Sequence, residues 1–278
     1  MRRTKSLLEH NEASIRPLSE SQHKVVLDES GFSAYCVDVD WGLNFLSFFT
    51  TMTTIPLIYC ANHMFVDLPE GRWLVDTGSP ATFGTAGHVT WGGVRRSVPQ
   101  QFGPVGIPEI QTHVDSPFVG MIGTDLLNAQ DSCWDGPAGE FRIGDANVHP
   151  EATPIEFERL MGVPTLQARI GAHSARCLFD TGAQFGYVLN EQLVEGGIPD
   201  GRITDFNPII GAIDSAAWRA EVGLGATRFT ERFGLLSGAA VEMFKIVGID
   251  ALIGCSWLHA RTVWYQPGLR RISISAAR

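Results

Sequence analysis

The sequence predicts a mainly β fold built from two similar halves with a few short helices, and three observations predict it. Thirty Gly and fifteen Pro are spread without a three-residue period, and only 18% of the 278 residues are charged, which suits short strands joined by tight turns better than long helices. With 44% hydrophobic side chains the chain can bury a full core without covalent staples. The third observation is an internal repeat that lays residues 55–83 on residues 163–188.

Residues 1–30 hold five basic and five acidic side chains and few large apolar ones, so residues 1–45 read as an N-terminal extension. Glu9, His10, Asn11 and Glu12 stand where a secretion signal needs its apolar stretch, and a cytoplasmic location is expected. The run from Trp41 to Ala61 is uncharged, but Asn44, Pro56 and several threonines dilute it. Two successive buried strands are expected there rather than a membrane span.

The first half, residues 46–152, contains IPLIYCANHMFVDLPEGRWLVDTGSPATF from Ile55 to Phe83. The second half, residues 153–278, contains VPTLQARIGAHSARCLFDTGAQFGYV from Val163 to Val188. Each copy starts on an aliphatic-Pro pair, alternates as a strand, turns through polar residues and returns as an apolar strand ending in Asp-Thr-Gly-small. Downstream, GMIGTDLL (Gly120 to Leu127) and ALIGCSWL (Ala251 to Leu258) share two aliphatic residues and a Gly, then a segment of helical spacing. Thr124 or Asp125 is expected to cap the first of these helices, and Cys255 or Ser256 to begin the second. The Pro-marked stretch from Val148 to Pro164 reads as the join.

Composition and motif content exclude several function classes. The formal charge is −9, and no basic run exceeds an Arg pair, so a nucleic-acid partner is not expected. The five cysteines lack zinc-site spacing and read as reduced, mostly buried thiols. There is no HExxH, P-loop, GxGxxG or GxSxG, and the eight histidines are scattered, so neither a metal nor a cofactor is expected.

The paired motifs DTGS at Asp76 to Ser79 and DTGA at Asp180 to Ala183, with the two aliphatic-Gly elements, resemble the aspartic peptidases of the pepsin and retropepsin types. That resemblance, over about residues 50 to 278, implies two pseudo-symmetric β-lobes, the acid-protease fold, with one aspartate from each lobe meeting at the axis. It implies Asp76 and Asp180 as a catalytic dyad, and a complete site in a monomer. Carboxyls about 3 Å apart repel by roughly 5 kcal/mol at an effective dielectric near 20, so such a pair holds one proton between them. Gly78 and Gly182 would let the backbone turn behind each carboxylate and donate their amides to it. Thr77 and Thr181 would grip across the lobe interface, with small residues Ser79 and Ala183 on the floor. The implied activity is that of an aspartic endopeptidase acting on a peptide or protein substrate. The alternative is a non-catalytic or partner-activated peptide-binding protein with the same fold.

The expected cover departs from the family pattern. In the second half, NPIIGAIDSAAWRAEVGLG begins at Asn207, 27 residues after Asp180, and reads as a flap with Ile209, Ile210, Gly211 and Ala212 at its turn. In the first half, Trp91, Gly92 and Gly93 stand at a turn only 15 residues after Asp76, with Trp91 either a flap aromatic or an ordinary core residue. The spacing from Asp76 to Gly123 is 47 residues against 74 from Asp180 to Gly254, so the first half is the trimmed one. A cleft lined by Trp91, Ile209, Ile210 and Ile213 would favour apolar side chains at the cut.

Overall fold

The computed structural model describes residues 52–207 and 211–276. Among them are 21 strands, and the α-helices are confined to Ile107–Gln111, Thr124–Leu127 and Ala239–Ile246, so the chain is mainly β. The described residues all fall in one compact unit. The N-terminal extension, most of the uncharged run before Met52, and Cys36 lie outside the described residues.

In the first half, Thr53–Cys60, His63–Leu68 and Gly71–Val75 form an antiparallel meander, in register at Leu57 with Val66 and at Phe65 with Leu74. The middle strand is buried on nearly every residue, and Trp73, Leu74 and Val75 bring the apolar third strand to Asp76. That third strand then pairs in parallel with Gly120–Ile122, Trp73 lying opposite Gly120. A β-carbon on Gly120 would lie 2.1 Å from the Trp73 ring, which is why a glycine heads this element. The second half follows the same course. Val163–Ile170 pairs with His173–Phe179, which pairs in parallel with Ala251–Ile253 just before Asp180.

A shared antiparallel sheet joins the halves. Its order is Thr53–Pro56, Glu140–Ile143, Ser132–Asp135, Thr262–Gln266, Arg271–Ile274 and Thr153–Glu156. At its centre Trp134 stacks on Tyr265 with ring centroids 5.4 Å apart, and Phe141, Phe157 and Phe179 extend the aromatic layer. Rings of this size contribute most of the apolar area in such a core, and Trp134, Phe141, Phe179 and Tyr265 are all under 2% exposed.

Three local expectations need correcting. The join from Val148 to Pro164 holds the strand Thr153–Leu160, whose buried Ile155 and Phe157 alternate with exposed Glu156 and Glu158. Pro154 obscures that period, and a proline is tolerated where a strand runs along a sheet edge. The first short helix is preceded by Gly123 with no side-chain cap; Thr124 Oγ1 instead donates to the Ser79 carbonyl, and Asp125 accepts from Thr82 Oγ1 at 2.6 Å. The second segment is a single 3-10 turn at Leu258–Ala260, Ser256 being engaged with Glu231. Cys60, Cys133, Cys177 and Cys255 are free thiols, and the last three are buried. No helix among the described residues is long and apolar enough to cross a membrane.

Glu231, in the strand Thr227–Leu235, is only 1% exposed. Its Oε1 accepts from Ser256 Oγ and the Arg232 amide. Burial pushes this carboxyl up from 4.5 to about 7. With the folded value raised, ionisation costs nothing below the unfolded value and its full cost is reached above the folded one. Stability should therefore fall as pH rises from about 4.5 to about 7. Glu231→Gln should remove that dependence, giving a variant more stable than the parent at pH 8 by on the order of 3 kcal/mol and close to it at pH 4, as read by denaturant unfolding at both pH values.

Candidate active site

Each aspartate hangs from the parallel strand pair that precedes it. The Asp76 amide donates to the Ile122 carbonyl at 2.9 Å, and the Asp180 amide donates to Ile253 at 3.0 Å. The chain then turns so that the next amides face the carboxylate. Gly78 and Ser79 donate to Asp76 Oδ1 at 2.7 and 3.0 Å, and Gly182 and Ala183 donate to Asp180 Oδ1 at 3.0 and 3.2 Å.

The two turns lock together through their threonines, both completely buried. Thr77 Oγ1 donates to the Phe179 carbonyl at 2.6 Å and accepts the Thr181 amide at 2.9 Å. Thr181 Oγ1 donates to Val75 at 2.8 Å and accepts the Thr77 amide at 3.0 Å. Each hydroxyl thus uses donor and acceptor capacity on the opposite half, leaving none of these four backbone groups orphaned.

Gly78 and Gly182 are needed for space rather than for backbone freedom, since neither has a positive φ. A β-carbon on Gly78 would lie 2.4 Å from the Asp180 carboxyl, and one on Gly182 would lie 2.4 Å from that of Asp76. The repeated glycines Gly123 and Gly254 have a related cause: β-carbons there would meet the Ala81 backbone at 2.4 Å and the Phe185 carbonyl at 2.7 Å. The aliphatic-Gly element therefore slides directly beneath each Asp-Thr-Gly turn.

The carboxyls of Asp76 and Asp180 are close enough to hydrogen-bond each other. Asp180 is 9% exposed, while Asp76 keeps more contact with the cavity beside it. Burial pushes both carboxyls above the ordinary aspartate range. The charge of Asp180 and their mutual hydrogen bond push Asp76 further, against the Gly78 and Ser79 amides. For Asp180, the hydrogen bond from Asp76 and the amides of Gly182 and Ala183 oppose burial. The pair retains a proton well above the pH at which a free aspartate loses one.

Beside the dyad lies a cavity of about 80 Å³ lined by His63, Ile110 and His113 from the first half and by Gln184, Tyr187 and Asp205 from the second. The long hairpin Ile198–Asn207 and Gly211–Leu224 covers it, with Asn207 pairing Gly211 at the end of the ladder. The Phe206 ring lies flat on His113 at 3.8 Å between centroids, so the cover from the second half rests on the first. The hairpin begins nine residues before Asn207, with an irregularity at Asp200 and Gly201 inside its first strand. Gly211 takes φ +88° at the start of the return strand, and Ala212 is exposed opposite Phe206. Ile209 and Ile210 lie outside the described residues, while Ile213 lines the cavity.

The first-half hairpin does not reach the dyad. Gly92 and Gly93, with φ +57° and +80°, make a two-residue turn between His88–Trp91 and Val94–Ser97. Val89 and Trp91 face inward together, and Trp91 is 1% exposed with its ring edge-on to Phe141. It is a core residue.

His63, His113, Gln184, Tyr187 and Asp205 enter the site without having been singled out in the sequence. Tyr187 carried a readable signal, since it follows Asp180 by the same seven residues that separate Phe83 from Asp76. The chain matches no protein-family model and no curated protein.

Thr77→Val should strand the Thr181 amide and the Phe179 carbonyl and lower stability by about 2 to 5 kcal/mol in denaturant unfolding, whereas Thr77→Ser should stay within about 1 kcal/mol of the parent.

Proposed function

We propose that this chain is an aspartic endopeptidase with two pseudo-symmetric β-lobes, hydrolysing a peptide or protein substrate with water activated by Asp76 and Asp180. The observation that carries the reading is the pairing of the two Asp-Thr-Gly turns through reciprocal threonine hydrogen bonds, each carboxyl lying against the other turn's glycine. The palindromic order of the shared sheet supports the symmetry, since its outer and inner strands come from matching positions of the two halves.

The chemistry follows from one proton on the pair. The ionised carboxyl takes a proton from a water between the two as its oxygen attacks the scissile carbonyl carbon, and the protonated carboxyl donates to the carbonyl oxygen. A tetrahedral diol forms without a covalent enzyme intermediate. Its collapse breaks the C–N bond, returns a proton to the dyad and delivers one to the departing amine. The cover hairpin excludes bulk water, which strengthens both proton transfers. A peptide-binding role without catalysis has no use for two desolvated, mutually repelling acids.

Incubation with a diverse peptide mixture, read by mass spectrometry, should reveal internal cleavage. Asp76→Asn and Asp180→Asn should each lower it by at least about a thousandfold while keeping the fold, as expected for groups that act as one unit. Cleavage by either variant near the parent rate would sink the dyad assignment.

A further inference from the structure

The cavity beside the dyad is acidic on one wall, and that wall is not explained by the hydrolytic chemistry. Asp205 accepts hydrogen bonds from Tyr187 Oη, from Gln184 Nε2 at 3.3 Å and from the Phe206 amide at 2.8 Å. These fix its carboxylate in place, but all three donors are neutral. Among the described residues no Lys or Arg lines the cavity. Arg232, whose charge reaches Tyr187, is engaged with the Asp200 carboxylate at 2.9 Å and with the carbonyls of Asp200 and Arg202.

The first half supplies a second acceptor to the same cavity. His63 is 6% exposed and lines the same cavity. Its Nδ1 lies 2.6 Å from the Ala61 carbonyl, a contact that requires the proton on Nδ1. Nε2 is then a lone-pair acceptor in the neutral ring and has no hydrogen-bond partner among the described residues. Burial keeps this imidazole below its usual range, so it stays neutral and accepting. Between the acceptors the walls are aliphatic, with Ile110, Val114, Ile213 and Leu236. Among the described residues, no group of three or more acids, histidines or cysteines could hold a metal ion.

We propose that this cavity is a substrate subsite for a basic side chain, Lys or Arg, next to the scissile bond, with Asp205 and His63 receiving its N–H donors. This rests on the endopeptidase reading and names its substrate class. The alkyl stem of a basic side chain suits the aliphatic walls, and its charged end suits two acceptors left without a cation. The apolar preference expected from Trp91 and the isoleucines gives way, because Trp91 is in the core and Asp205 is on the wall.

The test uses the full-length protein and matched peptides that differ at one position flanking the cut: Arg, Lys, citrulline or norleucine. Citrulline keeps the shape of Arg without its charge. Arg and Lys peptides should exceed the other two in kcat/KM by about tenfold or more, the scale expected when a buried polar wall loses its partner. Asp205→Asn should collapse that ratio to within about threefold, and Asp205→Glu should restore most of it, as expected for a charge-assisted bond. Because the ratio is taken within each variant, a general loss of activity does not mimic the result. Preference for norleucine in the parent, or an unchanged ratio in Asp205→Asn, overturns the proposal.

A second arm measures binding of non-cleavable analogues with a hydroxymethylene in place of the scissile carbonyl, by calorimetry on the parent protein. Tighter binding of the Arg analogue with no cleavage of any peptide would retain the subsite and sink the endopeptidase reading. Cleavage without charge preference would do the reverse. No binding and no cleavage would sink both.

Discussion

Two carboxyl groups forced together out of water repel each other, and the chain around Asp76 and Asp180 is organised to hold them there. Four backbone amides accept that burden directly by donating to the paired oxygens. The threonine lock fixes the two turns against each other from behind, so the repulsion cannot relax by separating them. The glycines then follow as a steric consequence: with each carboxyl pressed on the opposite turn, no β-carbon fits at position 78 or 182. The aliphatic-Gly elements, the parallel strand pairs and the shared sheet fix the frame on which the turns hang.

The two halves share this frame but not their covers. The second half supplies a hairpin of more than twenty residues that reaches across to His113, whereas the short first-half hairpin turns its tryptophan into the core. The first half contributes the helix Ile107–Gln111 and the following turn to the opposite side of the cavity. The site is therefore built from dissimilar walls on a repeated floor. The floor repeats the same amide-to-carboxylate hydrogen bonds around Asp76 and Asp180, while the walls above it present different side chains.

Much of the floor was legible in the sequence, because repetition amplifies a short motif. Asp76, Thr77, Gly78 and their counterparts Asp180, Thr181 and Gly182 come together, a meeting that the resemblance and not the repeat alone implied, and the glycines are needed for close approach rather than turn geometry. The strand Thr153–Leu160 was hidden by its proline. Trp91 was ambiguous because the same alternation that places an aromatic at a hairpin tip also places it in a core. His63 and Asp205 were illegible for a different reason. Their roles depend on two strands far apart in sequence facing one cavity, and no local pattern distinguishes them from other scattered polar residues.

Whether Asp76 and Asp180 hold one proton between them in the folded protein is read directly by carbon-13 NMR of labelled aspartate carboxyls. A shared proton gives two coupled titration steps, the later one well above the ordinary value of 3.8, which give way to the single step of an isolated buried carboxyl when either residue becomes Asn. Two independent steps near 3.8, unchanged by the partner's substitution, would contradict it.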